Sequence, residues 1–176
     1  RFYECALGNK NENKKFKRSL SSPTSQASSF LKFSDKYKTG IPYANIAYEN
    51  ELVEVKRLDT FVKKYYADKK NIALHIDVEG YEYSVIEGAS EVLKHVKTII
   101  VEVGNGLFIG QKSLNDIIDL LSSTHILVGA ISAPMIKNGE LFLQDFLFDE
   151  PQFRVSVFVR WLVPFNLYQT CMYLIS

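Results

Sequence analysis

The sequence predicts an α/β fold. Three observations carry that prediction. Short, mostly apolar runs, Asn71–Asp77 and Thr98–Val101, have the length and composition of strands buried on both faces. Between and after them, apolar residues recur at helical spacing: Val85, Ile86, Ala89, Val92, Leu93 and Val96, then Leu114, Ile117, Ile118 and Leu121. The resulting order of strand, helix, strand, helix, strand is the rhythm of a mostly parallel sheet. In such sheets ligands bind at the carboxyl ends of the strands.

Each element has its own warrant. Residues 2–7 alternate and end at Gly8, a short strand. Residues 9–50 hold Asn9, Asn11, Asn13, a lysine cluster and the serines at 19, 21, 22, 25, 28 and 29. Short polar side chains compete with regular structure, so the segment reads as a loop-rich insertion or lid. Residues 51–57 alternate around Val53 and Val55, a strand. Asp59 is placed to N-cap the helix carrying Leu58, Phe61, Val62 and Tyr65. The helical repeat 85–96 is expected as one helix. Ser113 and Asp116 have the spacing of a reciprocal cap, and 126–131 is the next strand. Asn138-Gly139 is a tight-turn signal leading to Leu141, Leu143 and Phe146. From Phe153 to Val163 apolar residues fall on every second position, and an antiparallel pair closing one sheet edge is expected. The chain divides into a domain over 1–150 and a C-terminal strand with an aromatic tail over 151–176. The tail either docks on the body or contacts a partner or membrane surface.

Composition excludes several classes. Two distant cysteines, Cys5 and Cys171, make neither a disulfide scaffold nor a zinc site. The longest uncharged runs, 120–136 and 161–176, fall short of a spanning helix. No signal peptide is visible, so a cytoplasmic location is expected. A net charge of +1 predicts no pull toward nucleic acid. Charge is uneven, however: +6 over residues 1–40 and −5 over 76–120. The basic stretch is a solvated loop surface or an anion-attracting rim.

The strand-end rule selects Asp77 and Glu79, which end a buried strand before Gly80. At i and i+2 both carboxylates point into one cleft if the strand geometry persists. They bind a cationic ligand, act as a general base, or cap the next helix. Glu102 follows the next apolar strand, so acids at two adjacent strand ends would form a negative mouth; alternatively it is a solvated strand end. His75 is a cleft-wall residue or a base, and His95 and His125 have no zinc-like spacing. Gly104, Gly106 and Gly110 have the spacing GxGxxxG, the acid expected about 20 positions on is missing, since no Asp or Glu lies between 120 and 139, and Leu107-Phe108-Ile109 looks like packing rather than a dinucleotide loop. Neither a P-loop nor a GxSxG elbow is present.

Four segments in order, Leu58-Asp59-Thr60, His75-Ile76-Asp77-Val78-Glu79-Gly80-Tyr81-Glu82, Val85-Ile86-Glu87-Gly88-Ala89 and Ile99-Ile100-Val101-Glu102, resemble the FkbM family of S-adenosylmethionine-dependent methyltransferases. Ala6-Leu7-Gly8 and Ser28-Ser29-Phe30-Leu31 are similar to its first strand end and its serine-rich loop. The resemblance implies a Rossmann-like class I methyltransferase sheet and O-methylation of a hydroxyl on a sugar, glycan or secondary metabolite. It implies that Asp77, Glu79 and Glu102 are catalytic and that Ala6, Leu7 and Asp77 bind S-adenosyl-L-methionine. His75, standing where the family has lysine, and Asn105 would bind the acceptor. The family's glycine-rich donor loop falls upstream of Arg1, so the sequence reads as an N-terminally truncated domain. Two alternatives stay open. Asp77-Val78-Glu79 is loosely DxD-like, as in a metal-dependent glycosyltransferase. A truncated domain could instead be a non-catalytic interaction module, self-associating through its C-terminal edge.

Overall fold

The computed structural model describes residues 3–20, 28–35, 47–137 and 140–151. The period-two segment 153–163, the tail and the Asn138-Gly139 turn lie outside the described residues. The elements are β1 (Ala6–Gly8), β2 (Glu12–Ser19), β3 (Tyr48–Arg57), α1 (Leu58–Tyr65), β4 (Ile72–Ile76), α2 (Glu82–Glu87), a 3-10 turn (Val92–His95), β5 (Val96–Gly104), α3 (Leu114–Leu121), β6 (Ile126–Ala130), β7 (Met135–Lys137) and β8 (Glu140–Asp149).

They form two sheets. The first has the order β1-β3-β2, with β1 parallel and β2 antiparallel to β3. The second has the order β4-β5-β8-β6, with β7 also paired to β8. In it β4 and β5 are parallel, while β8 is antiparallel to β5, β6 and β7. The expected mostly parallel sheet is therefore corrected to a mixed one. The strands β4, β5 and β6 share a direction, and β8 is inserted between β5 and β6 with the opposite one. Among the described strands β8 is interior, since 140–149 is apolar enough to be flanked on both sides, while the other strand of the expected edge pair, 153–163, lies outside the described residues. Exposed Ile126, Val128, Met135 and Ile136 lie on the strands bordering it.

The described helices pack on one face of the second sheet. That face contributes Ile72, Leu74 and Ile76 from β4, Ile99, Val101 and Val103 from β5, and Phe146 and Phe148 from β8. Against them lie Phe61 and Val62 of α1, Val85 and Ile86 of α2, and Ile117 and Leu121 of α3, all buried. Burying one such side chain stabilises by roughly 1.5–3 kcal/mol. The opposite face carries the next residue of each strand and is only half buried.

Three local readings change. Within 9–50, Glu12–Ser19 form β2 rather than loop. Its sequence is polar, but its basic residues meet acidic β3: Arg18 reaches Glu49 at 2.6 Å and Glu51 at 3.6 Å. Cross-strand charge pairing of this kind substitutes for an apolar face. The helix expected over 85–96 is two pieces, broken at Gly88-Ala89-Ser90. A Cβ on Gly88 would stand 2.0 Å from the Gly8 carbonyl oxygen, so this position joins α2 to β1 at a backbone contact. Asp59 lies inside the first turn of α1, whose N-cap position is Arg57. Its carboxylate instead accepts the backbone N–H groups of Glu91 and Val92, at 3.0 and 2.9 Å, ahead of the 3-10 turn. By contrast the Ser113–Asp116 reciprocal cap is present on α3 as expected.

Candidate active site

The half-buried face of the second sheet carries the site. Along β4 the buried residues are Ile72, Leu74 and Ile76, so Ala73 and His75 turn to the other face. Asp77, one step beyond the strand, follows them by the two-residue period. On β5 the same alternation puts Ile100 and Glu102 on that face, and β8 pairs Glu102 with Asp145. Asp77, Glu102 and Asp145 thus form one row across three adjacent strands. Glu102 was expected at a strand end. The strand runs on through Gly104, so Glu102 is an internal residue of β5, paired with β8 and one position past the end of the β4 ladder.

Burial and mutual charge set the protonation of the row. Burial pushes Glu102 far above the ordinary carboxylate range, and the charges of Asp77, Glu79 and Asp145 push it further. Burial also raises Asp77, but the hydrogen bond with Glu102 and the nearby His75 hold it down, against Asp145. Both carboxyls are thus held above their ordinary range, Glu102 the further of the two, and the hydrogen bond between them couples their titration.

Glu79 reaches this region by a different route from the one expected. The strand ends at Ile76, and Glu79 sits at φ 53°, in the left-handed region, followed by Gly80 at φ 92°. Period-two geometry therefore does not align Asp77 with Glu79; a tight turn does. At Gly80 a side chain is excluded twice over, by its φ and by Phe108, whose Cδ2 would lie 2.7 Å from a Cβ. The turn is held from inside by Glu82, whose Oε1 accepts the N–H groups of Gly80 at 2.8 Å and Val78 at 3.3 Å. From outside, the Ser29 hydroxyl donates to the Glu79 carbonyl at 2.7 Å. The N-cap position of α2 is Tyr81, which makes no side-chain capping bond. Tyr48 faces Glu79 closely enough that burial and the Glu79 charge raise its hydroxyl's pKa.

The remaining expected residues are dispersed. His75 is half-buried on the face of the acid row. Asn105 is exposed, one residue past β5. Ala6 and Leu7 lie on β1 in the other sheet, and Leu7 packs against the main core. Gly106 and Gly110 flank Leu107 and Phe108, which are buried with Leu31, Phe33 and Leu143, so this glycine segment is a packing loop. His125 is a satisfied core residue, its ring 2.9 Å from Thr124 Oγ1 and 3.1 Å from the Val96 carbonyl. Among the described residues no group of three or more His, Cys, Asp or Glu is arranged to hold a metal ion.

Asp145, Tyr48 and Ser29 were not singled out from sequence as site residues. A lone acid inside the apolar run 141–148 was the available signal for Asp145.

Residues 2–125 match the family model described as the methyltransferase FkbM domain. The chain belongs to the FkbM methyltransferase family. No curated protein and no solved structure matches it. The match takes in the first sheet and the strands β4 and β5 with Asp77 and Glu102, and ends before β6, β7 and β8. Among the described residues, no helix is long and apolar enough to cross a membrane.

Proposed function

We propose that this chain is the acceptor-facing part of an S-adenosyl-L-methionine-dependent O-methyltransferase acting on a hydroxyl of a sugar, glycan or secondary metabolite. One observation carries the reading. In a chain of this family, Asp77 at the end of β4 is hydrogen-bonded to Glu102 on the neighbouring strand, and Asp145 of β8 stands beside Glu102. This pair fits a sulfonium cofactor, because carboxylate charge attracts a cation and the hydrogen bond between the two acids offsets their mutual repulsion. The strand order supports a Rossmann-like class I sheet, with three strands sharing a direction and a reversed one inserted beside them.

Bound S-adenosyl-L-methionine supplies a methyl group on a sulfur that leaves readily. The chain's own residues have two tasks: to align the acceptor oxygen in line with that methyl and to take up the hydroxyl proton. Asp77 faces the donor and, with Glu79, receives or orients the hydroxyl; the proton passes from the acceptor oxygen to a carboxylate oxygen as the new O–C bond forms. Glu102 fixes the direction of Asp77 through the hydrogen bond between them. His75 and Asn105 line the acceptor side, and Ala6 and Leu7 lie toward the adenine.

Methyl transfer to a panel of hydroxylated sugars, using labelled S-adenosyl-L-methionine and the longest natural form containing this chain, tests the proposal. Asp77→Asn and Glu79→Gln are each expected to lower turnover by about 10²-fold or more, the scale of a lost general base. Turnover unchanged in both variants overturns the assignment.

A further inference from the structure

We propose that Glu82 is a positioning residue for the site: its buried carboxylate holds the Asp77–Gly80 turn in the conformation that carries Glu79 to the acid row. The inference rests on the methyltransferase reading for its catalytic consequence, but its structural part stands alone.

Glu82 is 3% exposed. A buried carboxylate normally demands a cation or a set of hydrogen-bond donors. Here the donors are backbone amides: Gly80 N–H at 2.8 Å, Val78 N–H at 3.3 Å and its own N–H. Two of those three belong to the turn. The turn needs them, because Glu79 is a non-glycine residue at φ 53°. Such a conformation persists only where its surroundings over-determine it. Ser29 secures the carbonyl side of Glu79, Phe108 closes the space over Gly80, and Glu82 secures the amide side. Glu82 is thus the only one of the three that bonds to two turn residues at once.

The charge of Glu82 matters to this role. As a carboxylate it only accepts; once protonated, one oxygen becomes a donor and competes with the arrangement. Burial raises its pKa to about 7, opposed by the three N–H bonds and reinforced by Asp77, the charged neighbour that acts on it. The grip on the turn is therefore adjustable near neutral pH.

Nitrogen-15 NMR of the full chain tests this without requiring activity. In the wild type the Gly80 and Val78 amide proton shifts should move together with pH, with a midpoint near 7. In Glu82→Gln they should be flat over the same range. A second measurement is steady-state kinetics. Glu82→Ala, which removes the acceptor, should lower kcat by roughly 10-fold or more through misplacement of Glu79 and leave the affinity for S-adenosyl-L-methionine within a few-fold, whereas Glu82→Gln, which keeps an oxygen for both amides, should lose the inflection near pH 7 in the kcat profile. Wild-type amide shifts that stay constant from about pH 5.5 to 8.5 overturn the proposal even if Glu82→Gln fails to fold. So does a folded Glu82→Ala variant with wild-type kcat, or a Glu82→Gln variant with the wild-type pH profile. Amides that titrate in a wild-type chain that binds no S-adenosyl-L-methionine would uphold the structural role and overturn the methyltransferase reading instead.

Discussion

Asp59→Ala separates two accounts of the same residue. As the N-cap of its own helix, Asp59 would contribute about 1 kcal/mol. The structure gives it a larger part. Oδ1 accepts Glu91 N–H at 3.0 Å and Val92 N–H at 2.9 Å, and Oδ2 takes Arg57 Nη2 at 2.8 Å and Ser90 Oγ at 3.2 Å. Arg57 Nη1 in turn donates to the Asn9 carbonyl at 2.9 Å, so β3, the start of α1 and the turn after α2 meet at one carboxylate. Truncation orphans the two amides and the charge-assisted bonds they make, about 1–1.5 kcal/mol each. The Arg57 pair adds only about 0.5 kcal/mol, because its guanidinium is about a third exposed and screened. The expected loss is about 3 kcal/mol, a fall in Tm of about 6–12 °C for a chain of this size. Asp59→Asn keeps an oxygen for the two amides and should lose about 1 kcal/mol. Urea unfolding of both variants, with m-values unchanged from wild type, measures the difference. A loss below about 1 kcal/mol in Asp59→Ala, or equal losses in the two variants, refutes the reasoning.

The other predictions follow from the same geometry. Gly88→Ala should cost about 3 kcal/mol, because its Cβ meets the Gly8 backbone at 2.0 Å and no flexible side chain can yield; an unchanged thermal melt contradicts it. Glu82 titrates at about 4.5 when unfolded and about 7 when folded, so the native chain holds the extra proton between those values. Stability therefore falls as pH rises from about 4.5 to 7, by about 3 kcal/mol from this group, and Glu82→Gln should lack that component. Parallel stability–pH curves for wild type and Glu82→Gln would contradict it. His125 acts in the opposite sense: burial lowers its pKa below the ordinary 6.5, so protonation on acidification destabilises the fold, and His125→Gln should flatten the loss of Tm below about pH 6.

Much of the fold was legible because apolar periodicity is a local signal. The strands at 72–76 and 96–104, the helix at 114–121 and its Ser113–Asp116 cap are each written in adjacent residues. What failed was non-local. Strand β2 is polar and becomes a strand only through its pairing with acidic β3. The reversal of β8 and its insertion between β5 and β6 depend on which edge the chain returns to, and a run such as 141–148 reads the same in either direction. Asp59 looked like a local cap because its true partners, Glu91 and Val92, lie 32 and 33 positions away. At the site, the acids at 77 and 102 were legible as charges ending or interrupting apolar runs. Their partner Asp145 was hidden because it joins them only through the β5–β8 register. Glu79 comes near Glu102 through a turn rather than by alternation, and alternation cannot foresee a left-handed residue held by Glu82 and Ser29.

Calorimetric titration of S-adenosyl-L-methionine into the longest natural form of this chain, and into its Asp77→Asn variant, tests the central claim most directly. The account predicts saturable binding to the wild type and at least about tenfold weaker binding to Asp77→Asn, the scale of about 1.4 kcal/mol for a lost charge contact. No binding to the wild type, or equal affinity for a folded Asp77→Asn, would contradict it.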